Sequence, residues 1–160
     1  MQNEIISMVR ESAETKRLCE MLSPQIEEAA GMVAKALKSN KKIILAGNGG
    51  SSTQASHIAA EFTGRYKLER KALPAIALTT DMAAITAIGN AYGFDKVFER
   101  QLEALANKGD VFIALSTSGN SENLIKAAEA AKKLDVNVIS LLGKDGGRMK
   151  SMSKVEIIFP

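Results

Sequence analysis

Five short apolar runs, separated by segments with helical spacing, constrain the fold more than any other feature of this sequence. The runs occupy residues 42–46, 75–78, 111–115, 136–142 and 155–159. Continuous apolar runs of this length are typical of strands that are buried on both faces of a parallel sheet. Helical segments lie between them, at residues 51–62, 81–90 with 95–106, and 120–134. The alternation predicts an α/β fold: a doubly wound, mostly parallel five-stranded sheet with helices on both faces.

Two further helices are expected before the first strand, at residues 3–21 and 24–39. Pro24 follows Ser23, a pair that predicts a serine N-cap and a proline at the first helical position. A chain of 160 residues fits one domain and leaves no room for two ordinary ones. We therefore expect a single domain over residues 1–160.

The composition argues against several classes of partner. Aromatic residues make up 4% of the chain and the net charge is only +3, so a nucleic-acid surface has little support. No stretch approaches the roughly 20 apolar residues that span a bilayer, and the N-terminus lacks the apolar core of a signal peptide. Cys19 is the only cysteine, which excludes an internal disulfide and favours a reducing compartment. A cytoplasmic location is expected, without membrane or nucleic-acid partners.

The loop after the first strand is rich in glycine and reads Gly-Asn-Gly-Gly-Ser-Ser at residues 47–52. Ligands of parallel α/β sheets bind beyond the carboxyl ends of the strands. Glycines let the backbone approach a ligand closely, and the N–H groups of the following helix favour an anion. A plain glycine-rich turn with a serine cap remains an equal alternative. The loop lacks the last glycine of a dinucleotide fingerprint and the Gly-Lys-Ser/Thr of a P-loop, which argues against NAD and nucleoside triphosphates.

The loop after the third strand concentrates hydroxyl groups immediately before a helix. Ser116, Thr117, Ser118 and Ser121 can each donate to a phosphate oxygen alongside the N–H groups of the helix start. Serine and asparagine also cap helices, but one cap needs one such residue and not six. The pattern therefore favours a phosphate site.

His57 and Glu61 lie four residues apart on the expected helix that follows the glycine-rich loop. At this spacing both side chains project from one helix face. Such a pair can transfer protons or share a divalent metal, and it can equally be a simple surface pair. Arg65 can contact an anion, although a solvated loop arginine is the commoner case.

Six motifs in order resemble those of the sugar isomerase (SIS) family, and within it the bacterial phosphoheptose isomerases. The resemblance spans essentially the whole chain. The motifs are Gly-Asn-Gly-Gly-Ser (47–51), His-Ile-Ala-Ala-Glu (57–61), Thr-Gly-Arg-Tyr (63–66), Pro-Ala-Ile-Ala-Leu (74–78), Tyr-Gly-Phe (92–94) and Ser-Thr-Ser-Gly-Asn-Ser (116–121).

The resemblance implies a flavodoxin-like SIS domain that assembles as a homotetramer with sites at subunit interfaces. It implies the interconversion of sedoheptulose 7-phosphate and D-glycero-D-manno-heptose 7-phosphate, the first step toward nucleotide-activated heptose for lipopolysaccharide or other surface glycans. It also implies roles for individual residues. The ligands of the phosphate would be Ser116, Thr117, Ser118 and Ser121. The residues in contact with the sugar would be Asn48, Gly49, Ser51 and Arg65. The catalytic pair would be Glu61 and His57, and both would also bind a zinc ion.

Two departures from the family pattern bear on these expectations. The family usually has Gly-Asn-Asp before the Tyr-Gly-Phe element, whereas this chain has Ala91 after Gly89 and Asn90, so a substrate-contacting carboxylate is missing. The family also continues past the last strand with a segment resembling T-A-R-I-Q-E-x-H and a final helix, which supplies a second catalytic histidine and two zinc ligands. Residues 1–160 do not contain this segment.

Two alternatives to the heptose isomerase stay open at this point. One is a non-catalytic SIS module that binds a sugar phosphate or docks on another protein, like those that associate with the bacterial replication initiator. The other is the isomerisation of a different sugar phosphate, which would share the phosphate loop and differ only in its sugar contacts.

Overall fold

A five-stranded parallel sheet with strand order β2-β1-β3-β4-β5 organises the chain, as the computed structural model shows for all 160 residues. The strands are β1 (Ile43–Gly47), β2 (Ala75–Ala77), β3 (Val111–Ser116), β4 (Asn137–Leu142) and β5 (Val155–Ile158). Every neighbouring pair of strands is parallel. The central strand β3 and its neighbour β1 are buried along their whole length, as continuous apolar runs require. The predicted fold class is confirmed.

Six helices and three short 3₁₀ turns connect and flank the strands. The helices are α1 (Gln2–Leu18), α2 (Ser23–Lys38), α3 (Gly50–Thr63), α4 (Met82–Tyr92), α5 (Val97–Leu105) and α6 (Glu122–Lys133). The 3₁₀ turns are Cys19–Leu22, Phe94–Lys96 and Gly147–Met149. Each predicted helical segment is present, with ends shifted by a few residues.

The sheet separates two apolar clusters, one on each face. Successive strand residues point to opposite faces, so Ile44 and Phe112 belong to one cluster while Ile43 and Ile113 belong to the other. Helices α5 and α6 cover the first face, and α2 and α3 cover the second. This arrangement brings the N-termini of α3 and α6 to the carboxyl edge of the sheet, where the loops of interest lie.

Two helix starts differ in how they are capped. Ser23 was predicted to cap the second helix, and that prediction is wrong: Ser23 lies inside α2, and its Oγ donates to the carbonyl of Glu20 at 2.7 Å. The preceding 3₁₀ turn runs directly into α2, so Leu22 already has a helical backbone. The carbonyl of Glu20 in that turn is therefore within reach of the Ser23 hydroxyl. Asp81 does cap α4, because its Oδ1 accepts a hydrogen bond from the N–H of Ala84 at 2.9 Å.

A buried carboxylate fixes the amino edge of the sheet, opposite the glycine- and hydroxyl-rich loops. Asp110 is 1% exposed and accepts hydrogen bonds from the backbone N–H groups of Lys42 (3.0 Å) and Asn107 (2.8 Å). The Lys42 Nζ lies 2.6 Å from Oδ2 of Asp110, the oxygen that also accepts the N–H of Asn107. Burial alone would raise the pKa of Asp110, but the Lys42 ammonium and the two N–H donors outweigh it and hold the pKa below its usual 3.8.

Helix α1 contributes no buried residue to the fold. Its apolar side chains Ile5, Met8 and Val9 are 56%, 69% and 64% exposed, and together they form one surface of the helix. None of the helices is both long enough and apolar enough to cross a membrane.

Candidate functional site

The loops after β1 and β3 lie side by side because these strands are neighbours in register, with Gly47 opposite Leu115. Together they enclose a cavity of about 200 Å³ at the carboxyl edge of the sheet. Its lining residues are Asn48, Ser51, Leu115, Ser116, Thr117, Ser118 and Ser121. All four hydroxyl residues predicted as phosphate ligands therefore face one cavity, together with two of the predicted sugar contacts.

Helix capping does not account for these hydroxyl groups. Ser121 occupies the N-cap position of α6, yet its side chain makes no capping hydrogen bond; the N–H groups of Leu124 and Ile125 bind its carbonyl instead. The start of α3 likewise has no side-chain cap, which leaves the hydroxyl of Ser51 uncommitted. These hydroxyls remain available to a ligand.

Ser116 and Ser118 shape the turn and still have protons to donate. The Oγ of Ser116 accepts the N–H of Gly119 at 3.1 Å, and the Oγ of Ser118 accepts the N–H of Asn120 at 3.2 Å. Because each hydroxyl acts here only as an acceptor, its own O–H can donate to an anion. The cavity therefore offers hydroxyl donors and the positive end of the α6 dipole, without a fixed positive charge.

The hydroxyl-rich turn is packed against the loop that follows β4. Gly119 has φ +64°, and a Cβ atom at this position would lie 1.9 Å from the carbonyl oxygen of Gly146. The Oδ1 of Asn120 accepts the N–H of Arg148 at 3.0 Å. Only glycine fits this turn, since it requires both a left-handed backbone and close approach of another chain segment.

His57 and Glu61 lie near this cavity at different depths along α3. The His57 Nε2 is 3.5 Å from the Glu61 Oε1, so the helical spacing brings the two side chains together. His57 is exposed and lines a larger, adjoining cavity of about 1,090 Å³ together with Ser51, Ser116 and Thr117. Glu61 stands one helical turn farther on, outside that wall, with its side chain 33% exposed.

These two side chains alone do not form a closed zinc site. Structural zinc takes four protein ligands and catalytic zinc takes three with a water. The structure contains no cluster of three or more His, Cys, Asp or Glu side chains that could hold a metal ion. Within these residues a metal at His57 and Glu61 would have only two protein ligands.

The remaining predicted contacts are placed less centrally. Arg65 lies on the exposed segment after α3, where its Nη1 is 3.4 Å from Glu69 Oε2, and it lines neither of the two cavities. Gly49 precedes α3 with φ +53° and open space around it. Ala91 is exposed on α4.

Two further residues, which the sequence did not predict, support the site. Asn123, in the first turn of α6, is 3% exposed and pairs with Asn48. Arg70 folds back over the C-terminal end of α3, where its guanidinium donates to the carbonyls of Glu61 (2.7 Å) and Phe62 (2.9 Å). Asn123 belongs to the polar run Asn-Ser-Glu-Asn at residues 120–123, of a kind that is common at helix starts, whereas no local pattern marks Arg70.

Comparisons with known proteins agree with one another. The family model described as "SIS domain" matches residues 9–143. A phosphoheptose isomerase of Aliarcobacter butzleri is 48% identical over 161 residues, which span 100% of this chain and 85% of that protein. A phosphoheptose isomerase of a Nitratiruptor species is 54% identical over 145 residues, spanning 91% of this chain and 78% of the relative.

Two solved structures share the fold over nearly the whole chain. The phosphoheptose isomerase of Neisseria gonorrhoeae superposes with a TM-score of 0.92 at 44% identity, covering 99% of this chain and 85% of that one. The phosphoheptose isomerase of Francisella tularensis gives a TM-score of 0.95 at 37% identity, with the same coverage.

Proposed function

Since this chain belongs to the SIS domain family and is an isomerase of phosphorylated heptoses, we propose that it interconverts sedoheptulose 7-phosphate and D-glycero-D-manno-heptose 7-phosphate. The observation that carries the proposal is the cavity at the carboxyl edge of the sheet, lined by hydroxyl groups that no helix cap uses. The similarity to phosphoheptose isomerases at about 50% identity favours the enzyme over a non-catalytic binding module.

In this proposal the phosphate of the heptose occupies the smaller cavity. The hydroxyls of Ser116, Thr117, Ser118 and Ser121 donate to its oxygens, and the N-terminus of α6 adds its dipole. Asn48, Gly49 and Ser51, on the loop after β1, contact the sugar next to the phosphate. The rest of the sugar extends into the larger cavity, toward His57.

The reaction moves a proton between neighbouring carbons through an enediol. A base removes a proton from C1 of the ketose, O2 gains a proton, O1 loses one, and C2 is protonated to give the aldose. A carboxylate suits the carbon step, and an imidazole can carry the oxygen protons. We assign these tasks to Glu61 and His57, whose side chains meet on one face of α3 with Nε2 and Oε1 3.5 Å apart. Arg65, on the exposed segment after α3, is proposed as a further substrate contact.

We also propose that the site binds a zinc ion. His57 and Glu61 would supply two ligands, and water or another chain would complete the coordination. Bound there, zinc would act as a Lewis acid toward a substrate oxygen. To test this role, metal-free wild type and metal-free His57→Gln are titrated with zinc, and binding is measured by calorimetry. Equal zinc binding by the two proteins would reject His57 as a ligand.

The direct test of function is turnover of sedoheptulose 7-phosphate, with and without added zinc, monitored by appearance of the aldoheptose phosphate. Glu61→Gln is expected to lower kcat by about 10²- to 10⁴-fold, the usual contribution of a positioned base. Glu129→Gln, the same change at an exposed position of α6, is the matched control. Unchanged kcat in Glu61→Gln would reject its catalytic role. Absence of wild-type turnover with intact binding of the sugar phosphate would favour the non-catalytic module.

The assembly is proposed to be a homotetramer in which α1 packs against neighbouring subunits. This helix buries nothing within its own chain, although Ile5, Met8 and Val9 form an apolar surface. Light scattering of the wild type and of Met8→Glu tests the assignment: the variant is expected to dissociate, and an unchanged mass would remove α1 from the interface. A cytoplasmic location and a role at the start of nucleotide-activated heptose synthesis for surface glycans complete the proposal.

A further inference from the structure

Asn123 joins the two loops of the site through its side chain. The Nδ2 of Asn48 donates to the Oδ1 of Asn123 at 2.9 Å, and the Nδ2 of Asn123 donates back to the Oδ1 of Asn48 at 3.0 Å. The two residues are 75 positions apart in the sequence and come from the end of β1 and the first turn of α6. These reciprocal bonds are the only side-chain hydrogen bonds that either residue makes within the chain.

The pair determines where the Asn48 side chain stands. Asn48 lies between the hydroxyl-lined cavity and a second small cavity of about 190 Å³ that contains Gly49 and Phe94. With Asn123 in place, both the oxygen and one N–H of the Asn48 amide are engaged, and the second N–H remains free for a ligand. Asn123 itself is 3% exposed and does not line the hydroxyl-lined cavity, so it acts on a ligand there through Asn48.

We propose that Asn123 is a positioning residue for sugar-phosphate binding, which holds the Asn48 amide against the first turn of α6 so that its free N–H faces the ligand. The proposal rests on the proposed function in one respect: Asn48 must contact the bound heptose phosphate. Only an amide can donate and accept reciprocally in this geometry. A carboxylate at position 123 would place an oxygen against the oxygen of Asn48, and an apolar residue would leave the half-buried Asn48 amide without its partner.

A double-mutant cycle separates this role from a general effect on folding. The variants are Asn48→Ala, Asn123→Ala and the double variant, and the measurement is the dissociation constant for sedoheptulose 7-phosphate by calorimetry. Asn123→Ala is expected to weaken binding about tenfold, which corresponds to about 1.4 kcal/mol. In the Asn48→Ala background it is expected to add less than about twofold, because the two residues act as one unit. Additive losses, or unchanged binding in Asn123→Ala, would overturn the proposal.

Asn137→Ala is the matched control. Its Oδ1 accepts a hydrogen bond from Lys154 Nζ at 2.8 Å at the opposite edge of the sheet, so it also loses one asparagine side-chain contact. Binding by this variant should equal that of the wild type. If Asn123→Ala does not fold, Asn123→Ser takes its place in the cycle, since the smaller hydroxyl keeps a polar group at the buried position.

A spectroscopic signature tests the pair without any ligand. In the wild type the Asn48 side-chain proton that is bonded to Asn123 is expected to exchange slowly with water, and in Asn123→Ala the same signal should shift and lose its protection. This outcome stands even if the protein does not turn over sedoheptulose 7-phosphate, so failure of the proposed function and failure of this inference are distinguishable. Fast exchange of this bonded proton in the wild type would contradict the pairing directly.

Discussion

Replacement of Gly119 by alanine should disrupt the hydroxyl-rich turn, and the structure gives the magnitude. A left-handed backbone costs a residue with a side chain about 1–2 kcal/mol. The new Cβ would lie 1.9 Å from the Gly146 oxygen, although real Cβ atoms essentially never approach within 3.0 Å. The two segments must therefore separate by about 1 Å, and overpacking of this kind costs about 1–3 kcal/mol. The expected total is about 2–5 kcal/mol, a large part of the 5–15 kcal/mol that typically stabilises a domain.

Gly109 provides the matched control for this change. It also has a left-handed backbone, with φ +87°, but an added Cβ would meet only the flexible side chain of Lys41 at 3.2 Å. Alanine restricts the unfolded chain equally in both variants, so their difference isolates the contact with Gly146. Urea unfolding should show Gly119→Ala less stable than Gly109→Ala by about 1–3 kcal/mol.

Ligand binding should separate the two variants further. Gly119→Ala displaces the hydroxyls that surround the cavity, so its affinity for sedoheptulose 7-phosphate should fall at least about tenfold. Gly109→Ala lies at the amino edge of the sheet and should bind like the wild type. Equal stability of the two variants, or full affinity in Gly119→Ala, would refute the argument that packing against Gly146 sets the shape of this turn.

Three further changes have defined outcomes. Arg70→Met removes a guanidinium that caps the helix carrying Glu61, so the Tm should fall by roughly 3–10 °C. The same change should lower kcat more than it raises KM. An unchanged kcat would show that Arg70 contributes to stability alone. Asp110→Asn should lower the free energy of unfolding by about 1–3 kcal/mol at pH 7, measured in urea. Because the pKa of Asp110 is depressed in the folded state, its contribution is present above 3.8 and is lost as the pH falls through the lower folded value, so the two proteins should converge in acid. Gly31→Ala, inside α2 with open space around it, should stabilise the protein by about 0.5–1 kcal/mol; any loss would show that the position is not open.

The sequence was sufficient for the parts of the fold that depend on local pattern. The apolar runs at β1, β3 and β4 identified buried parallel strands, because short apolar runs between helical segments are typical of strands covered on both faces. Parallel topology then places the loops after neighbouring strands at one edge, which is why the hydroxyl-rich loop could be assigned to the same site as the glycine-rich loop.

The parts that could not be foreseen depend on contacts between distant segments. Asn123 and Asn48 meet only because the crossover brings α6 beside the end of β1, and no spacing rule reports that meeting. Ser23 carried a strong capping signal, but the 3₁₀ turn before it supplied a different acceptor. Arg70 reaches the end of α3 through an irregular segment, whose path local propensity does not determine.

The most direct measurement is an NMR titration of the isotope-labelled protein with sedoheptulose 7-phosphate, followed through the backbone amide signals. The largest shifts are expected at residues 116–123 and 47–51, and inorganic phosphate alone should move the first group more than the second. Shifts confined to other regions, with the amides of residues 116–121 unmoved at saturation, would contradict the assignment of the phosphate to the hydroxyl-lined cavity.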